Sequence, residues 1–283
     1  MNFLITGATG DVGSKVVHRL LQRGERPRIF VRSEDKARSM YGDRVDVSTG
    51  DLTEPSSLIP ALEGIEVLYL VNTGPGIPQR DEAAAHLAKA ARVKRLVKLS
   101  SMDVQHGLAI GAWHELGEAA ILATKIPFAF VQPTGFMSNL LIWAHSIKSE
   151  GVVRSSTGEG RRAFIHSDDI AAVSVEALLS EEYIGQSLAI TGPSAFTFGE
   201  ATAAIGSAIG KPLRYQFIPD EEAGERYAKI CGSLEETQAH VALWRAIREG
   251  RLATVTECVE RVLGKKPIAL EQWTVENAVA FRD

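Results

Sequence analysis

The 283-residue chain has only two cysteines, Cys231 and Cys258, and their spacing is not that of a metal site. This argues against a disulfide-stapled scaffold and against a thiolate metal centre. No uninterrupted apolar stretch reaches the ~20 residues that a membrane-spanning helix needs, so no membrane partner is expected. Neither sign of charge dominates: 31 Lys and Arg against 35 Asp and Glu leave a formal net charge of −4, without the basic footprint of a nucleic-acid binder. Internal repeats and low-complexity linkers are lacking. The first apolar run starts at Phe3, so no signal peptide is expected, and the two thiols are expected to be reduced in a cytoplasmic protein. Against these absences, 45% apolar and 23% charged residues suit a globular enzyme. The length allows one large domain, or a main domain with a smaller lobe.

The most informative segment is the first thirteen residues. An apolar run, Phe3-Leu4-Ile5, leads through Thr6 into Gly7-Ala8-Thr9-Gly10-Asp11-Val12-Gly13, and a helical pattern, Val16-Val17-Leu20-Leu21, follows. A buried strand entering a turn with glycines three apart, then a helix, is the arrangement of a dinucleotide-binding turn. Gly7 permits the sharp turn, Gly10 lets backbone N–H groups approach a pyrophosphate, and Gly13 lets helix and strand pack closely. The spacing is one residue wider at its first gap than G-x-G-x-x-G.

Strand and helix patterns then alternate. Strands are expected at 28–31, 45–49, 67–71, 95–99 and 128–132, and helices at 34–40, 56–62, 82–91 and 114–123. Beyond Pro133 the regularity falls away. One helix is expected over about 137–149, an extended segment to His166, a helix at 169–179 and a short strand near 188–191. Helical patterns dominate from Thr197. The expected fold is therefore α/β, a Rossmann-type doubly wound parallel sheet with a smaller, mostly helical C-terminal lobe. Residues 1–135 form the NAD(P)-binding domain and 136–283 a substrate-side lobe, with 167–192 returning to the sheet.

An Asp or Glu at the end of the second strand would hold the ribose hydroxyls of NAD. This chain has Arg32-Ser33 there, with Lys36 beyond. A guanidinium suits a 2′-phosphate because its fork donates paired hydrogen bonds, so NADPH is expected over NADH; a solvated basic turn is the plainer alternative. Asp51 and Leu52 are placed to meet adenine. Asn72, Thr73 and Gly74 are placed to line the ribose and nicotinamide, although turn chemistry alone would also account for them. With the glycine turn (Gly7, Thr9, Gly10, Asp11, Val12, Gly13), and with Ser100 and Pro133 at later strand ends, these complete the expected cofactor set.

These residues resemble the NmrA-like branch of the atypical short-chain dehydrogenases/reductases, which includes quinone reductase-like enzymes and redox-sensing regulators. The resemblance spans essentially the whole chain. It rests on the Gly7–Gly13 turn, Arg32, Gly50-Asp51-Leu52, Val97 to Ser101, Gln132-Pro133-Thr134-Gly135-Phe136-Met137-Ser138-Asn139 and Asp168-Asp169-Ile170-Ala171. Typical short-chain dehydrogenases carry a Tyr-x-x-x-Lys pair. Here His114 stands where the tyrosine would fall and Glu118 where the lysine would, with Ser101 thirteen residues before His114.

At i,i+4 spacing, Glu118 could orient His114 and raise its pKa, making it a proton donor; a surface ion pair is the plainer reading. Phe136, Met137, Ile142 and Trp143 could form an apolar wall for a flat substrate, or could simply be core. His166 could face the same cleft, or be a satisfied structural histidine. The resemblance implies an NADPH-dependent oxidoreductase passing a hydride to a small, flat, apolar quinone or carbonyl compound. A non-catalytic NAD(P) redox sensor is the alternative. No metal is expected, and a homodimer stays open.

Overall fold

The computed structural model describes residues 1–282. Its main sheet has seven strands: β1 (Phe3–Thr6), β2 (Arg28–Val31), β3 (Asp46–Thr49), β4 (Val67–Val71), β5 (Arg95–Leu99), β6 (Phe128–Pro133) and β9 (Gln186–Ile190). Their order is β3-β2-β1-β4-β5-β6-β9. The pairs from β3 to β6 are all parallel. β9 runs the same way: Gly185 N–H bonds Phe128 O near the strand starts, and Thr134 N–H bonds Ile190 O near their ends. The order reverses direction between β1 and β4. In such sheets ligands bind outside the carboxyl ends of the strands at that switch point.

The chain folds as two compact units. Residues 1–101, 111–132 and 170–189 form the first. Its helices are α1 (Asp11–Gln22), α2 (Glu34–Tyr41), α3 (Ile77–Ala90), α4 (Ala109–Thr124) and most of α6 (Ser167–Leu179). The strands supply Leu4, Phe30, Leu68 and Leu96 to a core that Ala84 and Ala88 of α3 close from one side. Such largely apolar central strands are what a parallel sheet covered on both faces demands. α1 buries Val12, Val16, Val17 and Leu20 on one stripe.

Residues 102–110, 133–169 and 190–283 form the second unit. It holds α5 (Ala144–Glu150), β7 (Val152–Ser155), β8 (Arg161–Arg162), β10 (Phe196–Thr197), α7 (Phe198–Ile209) and β11 (Arg214–Phe217). It continues with α8 (Asp220–Cys231), α9 (Leu234–Arg248), α10 (Cys258–Leu263), α11 (Leu270–Glu276) and α12 (Ala278–Phe281). Its core gathers Trp143, Phe164, Phe198, Leu243 and Trp273. A full capping box starts α7: Thr197 Oγ1 accepts Glu200 N–H at 3.0 Å, and Glu200 Oε2 accepts Thr197 N–H at 2.9 Å.

Several expected elements differ. The helix at 56–62 is instead two 3₁₀ turns, Pro55–Leu58 and Pro60–Leu62, because Pro60 lacks the N–H that a continuing α-helix needs. α3 begins at Ile77 rather than 82, since Pro78 sits in the first turn where its missing N–H costs nothing. α4 begins at Ala109, five residues before the expected start. The single helix at 137–149 divides into a 3₁₀ segment, Met137–Trp143, and α5. The region after Thr197 is not purely helical: β11 pairs in parallel with β7.

Candidate active site

The turn after β1 lies at the switch point. Gly7 has φ +63°, a left-handed conformation that glycine adopts freely. Gly7 O accepts Gly10 N–H at 3.0 Å, closing the turn. A Cβ on Gly13 would stand 2.1 Å from Gly7 O, so only glycine lets α1 approach the strand this closely. Gly10 is the N-cap of α1, and no side chain among the described residues caps that helix. The partial positive charge of this helix start favours an anion there. From α2, Tyr41 O–H donates to Ala8 O and braces the turn. Thr9 is half-buried, Val12 buried, and the exposed Asp11 pairs with Lys15 at 2.6 Å. A glycine turn of this shape at a helix N-terminus fits a dinucleotide pyrophosphate.

Arg32 and Lys36 are exposed beside this turn, and Lys36 Nζ donates to Thr9 O at 3.3 Å. Ser33 has a local role, its hydroxyl capping α2 by accepting Lys36 N–H at 3.2 Å. Asp51 Oδ1 accepts both the N–H and the hydroxyl of Thr53 at 2.9 Å. Those bonds, with the Arg32 and Arg80 charges, hold its carboxyl below the usual range. Leu52 packs partly against the core of the first unit. After β4, Asn72 Nδ2 donates to Asp81 Oδ1 at 2.6 Å. Thr73 O accepts from Arg80, and Gly74 takes φ +75°.

α4 turns a polar face inward. His114, Gly117 and Glu118 are all buried on it, and His114 and Glu118 are each 8% exposed. A surface ion pair is thereby excluded, and so is the expected orientation of the imidazole by Glu118. The Glu118 carboxylate Oε1 instead accepts from Ser100 Oγ and from Gln132 Nε2, the latter at 2.8 Å. His114 Nδ1 is buried with no partner among the described residues. The expected rise in its pKa is reversed: burial, aided by the Lys98 charge, pushes the imidazole down to about 3, so it is neutral at physiological pH. Burial pushes the Glu118 carboxyl upward, opposed by its bonds to Gln132 and Ser100.

Beneath this face lies an ion pair that the sequence reading missed. Lys98 of β5 donates to Asp81 Oδ2 of α3, and both side chains are fully buried. A lysine within the otherwise apolar strand Leu96-Val97-Lys98-Leu99 was the available signal, since a buried ammonium requires a partner.

In the second unit Pro133 and Met137 are buried, Phe136 is half-buried, and Trp143 packs edge-on against Phe198 at 4.9 Å. Met137 and Trp143 thus belong to that unit's core, while Ile142 is 44% exposed. Both nitrogens of His166 are engaged: Nδ1 accepts Asp168 N–H at 3.0 Å, and Nε2 meets Glu276 Oε2 at 3.0 Å. Arg162, also unanticipated, is buried and grips both oxygens of Asp103 at 2.9 Å. Among the described residues no helix is long and apolar enough to cross a membrane, and no cluster of His, Cys, Asp or Glu could hold a metal.

Comparison with known proteins gives a consistent result. A family model described as NAD(P)H-binding matches residues 7–181. The chain is 36% identical over 285 residues to a (4-alkanoyl-5-oxo-2,5-dihydrofuran-3-yl)methyl phosphate reductase of Streptomyces griseus subsp. griseus, covering 98% of each. It is 33% identical over 284 residues to an NAD(P)H azoreductase of Xenophilus azovorans, again covering 98% of each. Among solved structures, an NADPH-dependent quinone oxidoreductase from Escherichia coli, complexed with NADPH, superposes with a TM-score of 0.87 at 21% identity. That match covers 98% of this chain and 99% of the other.

Proposed function

The chain belongs to the NAD(P)H-binding family, and we propose that it is an oxidoreductase of the NmrA-like branch that uses NADPH to reduce a small, flat, apolar quinone or carbonyl compound. The observation that carries the reading is the uncapped glycine turn at the β1/β4 switch point. Gly7, Thr9, Gly10, Asp11, Val12 and Gly13 form the turn that receives the pyrophosphate, with backbone N–H groups of the helix start facing it and Gly10, its own N–H held by Gly7 O, giving it room. Arg32 and Lys36 meet the 2′-phosphate, with Ser33 fixing the start of α2. Asp51 and Leu52 border adenine, and Asn72, Thr73, Gly74 and Ser100 border the nicotinamide half. When bound, the reduced nicotinamide supplies the hydride.

The polar face of α4 supports an acceptor that needs little acid help. A neutral His114 has no imidazolium proton to give. Glu118, whose carboxyl pKa is shifted upward by burial, is the acid of that face, and Ser100, whose hydroxyl already bonds it, can exchange protons with it. Phe136 is half-buried in the second unit, with Met137 and Trp143 in that unit's core. His166 acts chiefly by tying the start of α6 to Glu276. Cys231 and Cys258 are both free thiols, which supports a cytoplasmic setting. The relatives named as azoreductase and furanone phosphate reductase support a conjugated, planar acceptor.

The test is NADPH oxidation, followed by absorbance, with a panel of quinones, azo dyes and ketones. Turnover with a planar acceptor is expected. Tight NADPH binding without turnover on any member would instead favour the redox-sensor alternative.

A further inference from the structure

The Lys98–Asp81 pair touches no reacting group in the reading above, yet both of its charged side chains are fully buried. Removing two charges from water costs several kcal/mol for each ion, and apolar residues of similar volume often serve stability as well or better. The pair therefore calls for a role other than stability.

Its geometry supplies one. Asp81 divides its two oxygens between two partners: Oδ2 takes the Lys98 ammonium, and Oδ1 takes the side-chain amide of Asn72. Asn72 directly follows β4 at the switch point and opens the loop through Gly74. With Nδ2 committed to Asp81, the amide plane of Asn72 is fixed, and its Oδ1 makes no hydrogen bond within the described residues. Room for this arrangement is kept on α4: a Cβ at Gly117 would stand 2.2 Å from Asp81 Oδ2. Arg80, one residue before Asp81, holds the same loop through Thr73 O and Gly76 O. α3 thus grips the loop after β4 at three points from adjacent residues.

We infer that the Lys98–Asp81 pair is a positioning device for the nicotinamide half of the cofactor, acting through the amide of Asn72. This rests on the proposed reading that the loop after β4 borders that half. Lys98 fixes the Asp81 carboxylate, the carboxylate fixes Asn72, and Asn72 presents its carbonyl oxygen in one orientation. The adenine half, held by the turn after β1 and by Arg32, is independent of the device.

The experiment separates the two halves of the ligand. Binding of NADP⁺ and of adenosine 2′,5′-bisphosphate, which lacks the nicotinamide half, is measured by calorimetry on three proteins. These are the wild type, the charge-neutral double variant Lys98→Met/Asp81→Leu, and the variant Lys98→Met/Asp81→Asn, which keeps an acceptor for Asn72. The apolar double variant should bind NADP⁺ about tenfold or more weakly, the fold-change expected for one lost oriented hydrogen bond. Its affinity for the bisphosphate should stay within about twofold, and the variant that keeps the acceptor should recover most of the NADP⁺ loss. Equal losses for both ligands, no loss for either, or no recovery would overturn the inference. Failure of the wild type to bind either ligand would instead overturn the cofactor reading on which it rests.

Discussion

Replacing the second and third glycines of the turn by alanine should separate two roles that a glycine motif usually confounds. At Gly13 the new Cβ would lie 2.1 Å from Gly7 O, 2.7 Å from Gly7 C and 3.2 Å from Ala8 Cα. The first distance falls about 1.3 Å short of the 3.4 Å at which contact becomes ordinary. All three atoms are backbone, so no side chain can swing aside, and α1 must move off the strand. Overpacking typically costs ~1–3 kcal/mol, and this case belongs at the upper end. For a chain of this size that lowers the melting temperature by about 6–12 °C. At Gly10 the new Cβ meets only Gly7 O, at 3.2 Å, and the backbone there, φ −91°, suits alanine. Gly10→Ala should melt within about 2 °C of the wild type yet bind NADPH at least ~10-fold more weakly, because the methyl group stands where the pyrophosphate must approach. Circular dichroism and calorimetric titration provide the two readouts. Wild-type NADPH affinity in Gly10→Ala, or a wild-type melting curve for Gly13→Ala, would refute the reasoning.

Other consequences can be checked as directly. Arg32→Ala should lose ~1.5–3 kcal/mol of NADPH affinity, the value of charge-assisted bonds to a phosphate, with little change for NADH; equal losses for both would remove Arg32 from the phosphate. His114 binds its proton near pH 6.5 when unfolded but only near about 3 when folded. Between those values the unfolded state holds more protons, so acid destabilises the fold, by up to ~1.4 kcal/mol per pH unit. Urea titrations at about pH 6 and about pH 4 should show a shallower fall for His114→Phe than for the wild type, and an unchanged slope would contradict the burial argument. Glu118→Gln should slow acceptor reduction and flatten its pH profile while NADPH affinity holds; an unaltered profile would assign Glu118 to the scaffold alone. Trp143→Ala should cost ~3–5 kcal/mol of stability as a core truncation, measured by denaturant unfolding.

The sheet was legible because its strands are short, apolar and spaced by helices, and because glycine chemistry marks the first turn. β7 and β11 were not. β11 reads Arg214-Tyr215-Gln216-Phe217, with only Tyr215 even half-buried, so hydrophobic periodicity had little to register. Pro60 and Pro78 were visible, and their opposite effects follow from position: one interrupts a turn, the other starts a helix. At the site, the i,i+4 relation of His114 and Glu118 was legible, but its consequence was not. The sign of the His114 shift depends on burial and on Lys98, a strand residue sixteen positions away whose approach only the packed fold reveals. Likewise Asp81 and Lys98 are seventeen residues apart on a helix and a strand, and no local pattern pairs them.

The most direct test of the account is a calorimetric titration of the intact protein with NADPH and, separately, NADH. A single saturable site that takes NADPH more tightly than NADH is the predicted result. Absence of heat with both coenzymes, under conditions where the fold is shown to be intact, would contradict it.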